Sequence, residues 1–573
     1  MTLSLATVTL ILLCGASPSD PVSPLKEAVA ADHALAERAG LSILERGGNA
    51  VDAAVATSFA LAVVRPESCG IGGGGFMVIH LVDDPRTPAP GDAVDIAIDY
   101  RERAPAAITP TTFVDLPPDA STSSGLAVAV PGTVAGLLHA LEVFGTLPRD
   151  VVMAPAIEIA RSGYALDAFG ASSSATLRDE IASARPDAEA RAFMGRFIPQ
   201  DPERFEDTKV QLAELADTLG LIATQGRDGF YAGPVAEAIV VAVKSRGGVM
   251  TVEDLRGFRA LEVAPIRGEA LGRTIIGMPP PSSGGVAVIQ SLMTIQERLD
   301  LLANVQRRAP AFLNLIAASL QLAFADRARF LCDPEFAPVR VDAMLDPARV
   351  RARALKIRNI TALKADDPAV LAPLPDDAGT SHLCVVDRMG NAVSCTETVN
   401  LTFGSGIPVV RYGFFLNNEM DDFLTRPGQP NAFGLTQAEA NLPGPGKRPL
   451  SSMSPTIILD NQGRVEVVVG ASGGPRIISA TVQVIVSVIM FYHDPQDAVD
   501  APRIHHQWQP DTIFYETEVP IADDAIRALR DRGYTVTPTE DAAAVQCIAR
   551  DVRDPKRWRT AADPRKRTPT KSD

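Results

Sequence analysis

Cysteine is scarce: none of the six, at 14, 69, 332, 384, 395 and 547, forms a C-x-x-C pair or a zinc spacing. That excludes a dense disulfide scaffold and a thiolate metal site and leaves buried thiols as the reading. Cys384 and Cys395 flank the turn "DRMGN", but a one-residue register offset separates them, so a disulfide there is the minority reading. A basic excess is also missing. Lys and Arg number 54 against 69 Asp and Glu, a net charge of -15, the wrong sign for holding a phosphate backbone, which excludes nucleic acid as a partner. No apolar run is long enough to span a roughly 30 Å bilayer core. Residues 3–16 are apolar and end in small residues, so residues 1–16 read as a signal peptide, though no Lys or Arg precedes the run. Leu13 stands where a small residue precedes a lipidated cysteine, which speaks against lipid on Cys14. The expected location is therefore secreted or periplasmic, with no transmembrane helix.

Several catalytic signatures are absent too. There is no G-x-x-x-x-G-K-[ST], and the glycines of "CGIGGGGFMV" follow a helix, so they are expected to form a tight turn where backbones pass closely. No H-E-x-x-H completes a metal site around His505-His506 of "APRIHHQW", and no G-x-S-x-G surrounds a serine expected to be exposed. "PPPSSGG" reads as a rigid turn into a helix starting near Val286. No repeat or low-complexity linker divides the chain.

What is present is a chain with 46% hydrophobic residues, able to bury a large core. "HALAERAGLSILERGG" has helical periodicity, and Asn49 can cap a second helix running to Arg65-Pro66. "TVAGLLHALEVFG", "PVAEAIVVAVKSRGG" and "FLNLIAASLQLAFADRARFL" are further helices, so the first part is helix-rich. From Thr380 the pattern turns to antiparallel strands, "SHLCVVD" with "NAVSCTETV" and "PTIILD" with "VEVVVG". "IISATVQVIVSVIMFY" is too long for a typical strand and is predicted to be a helix. The basic end, "DPKRWRTAADPRKRTPTKSD", reads as a solvated tail.

One junction has a chemical meaning. In "DDAGTSHLCVVD" a strand predicted to be half-buried opens on Gly379-Thr380-Ser381. Threonine is a weak nucleophile unless a base stands beside it, and its own α-amine can serve once the preceding peptide bond is cut. Gly379 offers backbone freedom and no bulk to obstruct attack on its carbonyl. Elsewhere "NNEMDDF" offers Glu419 and Asp422 as acceptors for an ammonium, "KRPLSSMSPT" offers Ser451 and Ser452 as donors, and "GASGGP" offers the N–H groups of Gly473 and Gly474 at a helix start. Taken singly, each is more often a turn or an acidic loop.

Taken together, "GIGGGGFM", "DYRERAP", "AVPGTVAGL", "MPPPSSGG", "FADRARFLCDP", "TSHLCVVD", "FLNNEMDDF", "KRPLSSMSPT", "APRIHHQW" and a terminal "DPR" resemble the γ-glutamyltransferase (glutathione hydrolase) family, in order along nearly the whole chain. The family reads Thr-Thr-His at the cleavage point, and Ser381 stands here for the second threonine. The resemblance implies an α/β N-terminal-nucleophile hydrolase with a four-layer αββα sandwich of mainly antiparallel sheets. It implies a large subunit of residues 17–379 and a small one of 380–573, paired as a heterodimer after self-cleavage between Gly379 and Thr380. Thr380 would be the nucleophile, Thr398 would orient it, and Gly473 and Gly474 would hold the oxyanion. Arg101, Ser451 and Ser452 would bind the substrate α-carboxylate, and Asn400, Glu419 and Asp422 its α-ammonium. Phe433 would lie on the lid, where some members have tyrosine. Glutathione or related γ-glutamyl compounds would be substrates, amino acids or dipeptides acceptors, and no metal or organic cofactor is implied. Two rivals stand beside this: an acylase of the same fold acting on β-lactam side chains or poly-γ-glutamate, and an uncleaved, non-catalytic binding relative.

Overall fold

The computed structural model describes residues 26–86, 93–184, 186–302, 309–364, 379–540 and 543–566. The leader reading of residues 1–16 with Cys14, and residues 376–378 ahead of the junction, fall outside them.

Twelve strands build two six-stranded antiparallel sheets. In chain order they are β1 (Ala28–Ala31), β2 (Gly74–Leu81), β3 (Val94–Tyr100), β4 (Leu261–Val263), β5 (Ile266–Ala270), β6 (Arg273–Gly277), β7 (Gly379–Val386), β8 (Ala392–Asn400), β9 (Thr456–Leu459), β10 (Val465–Ser472), β11 (Ala544–Arg550) and β12 (Trp558–Ala562). The first sheet runs β1-β7-β8-β2-β3-β4 and the second β12-β11-β10-β9-β6-β5. The sheets face each other, β10 crossing β7 and β8. Helices α1 (Ala34–Glu45), α2 (Ala50–Val64) and α3 (Thr133–Phe144) belong to the layer outside the first sheet, while α4 (Gly284–Gln296), α5 (Pro310–Phe330) and α6 (Arg476–Phe491) belong to the layer outside the second. This is the αββα order that the family resemblance implies.

Period-two alternation sorts the first sheet between two cores. Met77, Ile79, Leu383 and Val385 pack toward α2, while Phe76, Val78, Cys384 and Val386 pack toward the second sheet. Every residue of β7 is buried, so the strand predicted as half-buried is covered on both faces. Each large aliphatic side chain so enclosed contributes about 1.5–3 kcal/mol.

The predicted helices form, with Asn49 accepting from Val51 and Asp52 N–H at 2.9 and 3.0 Å to cap α2. The helix after "PPPSS" starts at Gly284, near Val286 as expected. Three expectations change. The glycine turn continues directly into β2, which pairs with β8, so strands of the first part complete the sheet that β7 opens. The basic end is a solvated tail only in part: Lys556, Arg557 and Arg559 are exposed, but β12 pairs with β11, Asp563 is fully buried and Lys566 is 2% exposed, and residues 567–573 lie outside the described residues. Gly379 does not have a left-handed φ; its need is close packing, since a Cβ there would lie 2.2 Å from the Leu401 carbonyl oxygen. The five described cysteines are free and buried, Cys384 sitting opposite Ser394 and Cys395 opposite Leu383. His505 and His506 are core residues, the former 2.7 Å from Ser479 Oγ.

Candidate active site

The β7–β8 hairpin places Thr380 directly opposite Thr398, and a register shift after Thr398 sets Asn400 against Gly379. Such a bulge bends a strand end and re-aims its side chains. Asn400 takes φ 79° there, a left-handed conformation that asparagine tolerates better than most residues.

The hydroxyl hydrogens can be assigned from their partners. Thr398 Oγ1 lies 2.6 Å from the carbonyl oxygen of Gly379, which can only accept, so the single Thr398 hydrogen points there. Thr398 Oγ1 also accepts from Asn400 N–H at 2.8 Å. Thr380 Oγ1, 3.1 Å away, must then be the donor to Thr398. One threonine thus polarises the carbonyl of the Gly379–Thr380 bond while aligning the hydroxyl beside it.

Arg101 is fixed at the end of β3: its N–H donates to Asp99 Oδ1 at 2.8 Å and its Nε to the Pro449 carbonyl at 3.2 Å. Its two terminal nitrogens donate to Glu419 Oε1 and, at 2.5 Å, to Asp422 Oδ2. The groups assigned separately to a carboxylate and an ammonium therefore neutralise each other in the ligand-free site. Burial opposes the Arg101 cation, but Glu419, Asp422 and Glu102 outweigh it and push its pKa up. Burial raises the Glu419 carboxyl to about 7 against the attraction of Arg101, and raises Asp422 in the same way. Burial and the Glu419 charge hold Glu102 far above the ordinary carboxylate range. Both Glu102 oxygens lack a hydrogen-bond partner. The sequence reasoning passed over this residue, although it adjoins Arg101.

Thr380, Thr398, Arg101, Asn400, Glu419, Asp422, Phe433, Ser451, Ser452 and Gly474 all line one cleft. Ser452 Oγ is buried without a partner, and Ser451 Oγ accepts from Met453 N–H at 3.1 Å. Asn400 Nδ2 donates to the Asn418 carbonyl at 3.0 Å. Gly473 and Gly474, at φ 123° and 57°, turn the chain from β10 into α6, a conformation a side chain would strain. Ser472 just before them is in G-x-S-x-G spacing but is fully buried, its hydroxyl facing the Ala544 carbonyl, so it is no nucleophile. Asn431, also unforeseen, organises the loop of Phe433: its Oδ1 accepts from Phe433 and Leu435 N–H at 3.1 Å each, and its Nδ2 donates to Asp422 Oδ1 at 3.2 Å. The Phe433 loop is thereby joined to a charged wall of the cleft. Among the described residues no His, Cys, Asp and Glu group could hold a metal.

Residues 36–571 match the Gamma-glutamyltranspeptidase family profile. The chain belongs to the γ-glutamyltranspeptidase family. It is 39% identical over 534 residues to the glutathione hydrolase proenzyme of Escherichia coli (strain K12), covering 92% of this chain and 89% of that one. Among solved structures it is similar to a cephalosporin acylase from Bacillus halodurans, with a TM-score of 0.77 and 26% identity over 97% of this chain and 98% of that one. A γ-glutamyltranspeptidase from Pseudomonas nitroreducens matches at TM-score 0.53 and 34% identity, over 59% of this chain and 96% of that one. The fold is that of the N-terminal-nucleophile hydrolases, and this γ-glutamyltranspeptidase family member is an enzyme, which removes the non-catalytic binding relative from the alternatives.

Proposed function

We propose that the protein is a self-processing glutathione hydrolase and γ-glutamyltransferase, with Thr380 serving first in its own cleavage and then in turnover. The observation that carries this is the hydroxyl pair at the junction, in which Thr398 donates to the Gly379 carbonyl and Thr380 is held beside it. Thr380 Oγ1 adds to the Gly379 carbonyl carbon, the Gly379–Thr380 C–N bond breaks, and the nitrogen leaves as the Thr380 α-amine with a proton gained. Water hydrolyses the resulting ester, leaving the Gly379 carboxylate and a free Thr380 hydroxyl. That amine is then the general base for the same hydroxyl.

In turnover Thr380 Oγ1 attacks the γ-amide carbonyl of glutathione or a related compound, and the amine side departs. Gly473 and Gly474 N–H groups, at the positive end of α6, would hold the oxyanion, each such donor being worth about 3 kcal/mol. A substrate zwitterion replaces the internal pairing: its carboxylate meets Arg101, Ser451 and Ser452, and its ammonium meets Glu419, Asp422 and Asn400. Burial makes an uncompensated charge costly, and the exchange of partners keeps every buried charge paired without creating new charge. Water, an amino acid or a dipeptide resolves the acyl-enzyme. Phe433 closes over the bound group but offers no hydroxyl. No described helix is long and apolar enough to cross a membrane, and export to the periplasm or medium is proposed on the leader segment of the sequence.

Intact-mass analysis tests this directly. The purified protein is expected to be a heterodimer whose small chain begins at Thr380 and holds 573 - 379 = 194 residues. An active preparation containing only the unbroken chain would refute the α-amine mechanism. Arg101→Lys tests the carboxylate site. A lysine keeps the charge but loses the fork, so KM for γ-glutamyl substrates is expected to rise about tenfold, with kcat within about twofold, because the contact exists in ground and transition states alike. A fall confined to kcat would instead make Arg101 part of the transition-state machinery.

The similarity to a cephalosporin acylase across 97% of the chain keeps the acylase reading in view. The carboxylates at Glu419 and Asp422 favour a substrate that carries an α-amine.

A further inference from the structure

The chain's basic end has a place at the nucleophile. Lys566 Nζ donates to the carbonyl oxygen of Thr380 at 2.6 Å and to Ser68 Oγ at 3.1 Å. Lys566 is absent from the residues that line the cleft. Its placement is built from several elements. Arg65 Nη2 donates to the Lys566 carbonyl at 2.9 Å, Lys566 N–H donates to the Asp563 carbonyl at 3.2 Å, and the Phe169 ring lies 4.6 Å from Nζ. Asp563 is itself fully buried, accepting from Arg503 at 2.7 Å and from Val545 N–H at 2.8 Å. A lysine held by this many ties at 2% exposure is not a passing contact.

We propose that Lys566 is a positioning residue, which anchors the Thr380 carbonyl and, once Thr380 begins the small chain, keeps its α-amine in the unprotonated form that acts as base. The inference rests on the N-terminal-nucleophile reading above. Before cleavage Thr380 is held by peptide bonds on both sides; afterwards one side is free, and what remains is the pairing with β8 and the Lys566 contact. The α-amine belongs to the same residue as the anchored carbonyl, so the lysine charge stands on the order of 5 Å from it, close enough to disfavour a second cation. Of the other charged and titratable groups around this point, Asp32 Oδ2 is 4.0 Å from Nζ with Arg65, Glu67 and Asp167 beyond it, Glu397 of β8 stands opposite Ser381, and Arg101, Glu419 and Asp422 share the cleft with Thr380. Burial raises the Asp32 carboxyl, against the pull of Lys566 and Arg65, and raises Glu67 to about 7, against the pull of Arg65.

The test compares Lys566→Met and Lys566→Arg with the wild type in precursor cleavage, in KM and kcat, and in the pH profile of kcat/KM. Loss of the positive charge makes the α-amine easier to protonate, so the acidic limb is expected to move up by about one pH unit in the Met variant. At pH 7 kcat should fall about tenfold and KM stay within about twofold, with cleavage slowed. The Arg variant is expected to restore the limb. A Met variant that is cleaved and shows an unmoved limb and normal kcat overturns the proposal while leaving the nucleophile assignment intact. A wild-type chain that is active yet uncleaved overturns the nucleophile assignment first. Should the Met variant fail to accumulate as folded protein, the Arg variant decides: cleavage with a wild-type limb supports the role, and a chain that melts as wild type but has a displaced limb overturns it.

Discussion

Thr380→Ala is expected to accumulate as a single uncleaved chain, with turnover of γ-glutamyl amides reduced by at least about a thousandfold. The two losses have one cause, since the hydroxyl that attacks the Gly379 carbonyl is the one that later attacks substrate. Stability should change little. The Thr380 hydroxyl donates only to Thr398, which keeps its bonds to Gly379 and Asn400, so the cost is about 1 kcal/mol of folding free energy. A denaturing gel and a melting curve on one preparation separate the effects. Thr380→Ser keeps a hydroxyl and is expected to cleave, more slowly because the methyl that limits the rotamer is gone. An alanine variant cleaved at the same bond would place the reactive group elsewhere and remove Thr380 from both steps.

Much of this site was legible because its chemistry is local in sequence. Gly379-Thr380, the acidic run around Glu419 and Asp422, the paired serines and the glycines before α6 each carry a residue type whose role can be argued alone, and the structure brings Thr380, Glu419, Asp422, Ser451, Ser452 and Gly474 into contact with one cleft. The hairpin and α6 were legible for the same reason, through turn residues and segment length. What was not legible is long-range. Arg101 pairs with carboxylates 318 and 321 residues away, so the internal neutralisation of the cleft has no sequence signal. Glu102 was overlooked because a glutamate beside an arginine looks like an ordinary surface pair, and only its burial makes it unusual. Lys566 was hidden by composition: seven basic residues in the last twenty suggest solvated charge, and nothing local reveals the strand pairing of β12 that leads into a buried Lys566. β2 escaped notice because its glycines lower strand propensity, whereas the close approach of the Glu102 and Tyr100 side chains requires them.

Asp422→Asn separates the γ-glutamyl reading from the acylase one. If the carboxylate receives the substrate ammonium, the amide removes a charge-assisted bond of about 1.5–3 kcal/mol while nearly preserving shape, and glutathione turnover should fall about ten- to a hundredfold. The structure sharpens the control. Asp422 also holds Arg101 at 2.5 Å, so neutralising it loosens the guanidinium that the substrate carboxylate must claim. A glutaryl amide carries that carboxylate and lacks the α-amine. It never makes the lost contact and meets an Arg101 with one fewer competitor, so the variant should hydrolyse it as well as the wild type or better. The asparagine can still accept from Arg101 through its oxygen, which keeps the local fold, and Asn431 retains an acceptor for its 3.2 Å bond only if the amide turns that same oxygen outward, so the geometry of the Phe433 loop is the point most exposed to the change. Equal losses on both substrates would mean that Asp422 acts through Arg101 or the Asn431 loop, and selection of an α-amino acid would then have to rest on Glu419 and Asn400 alone.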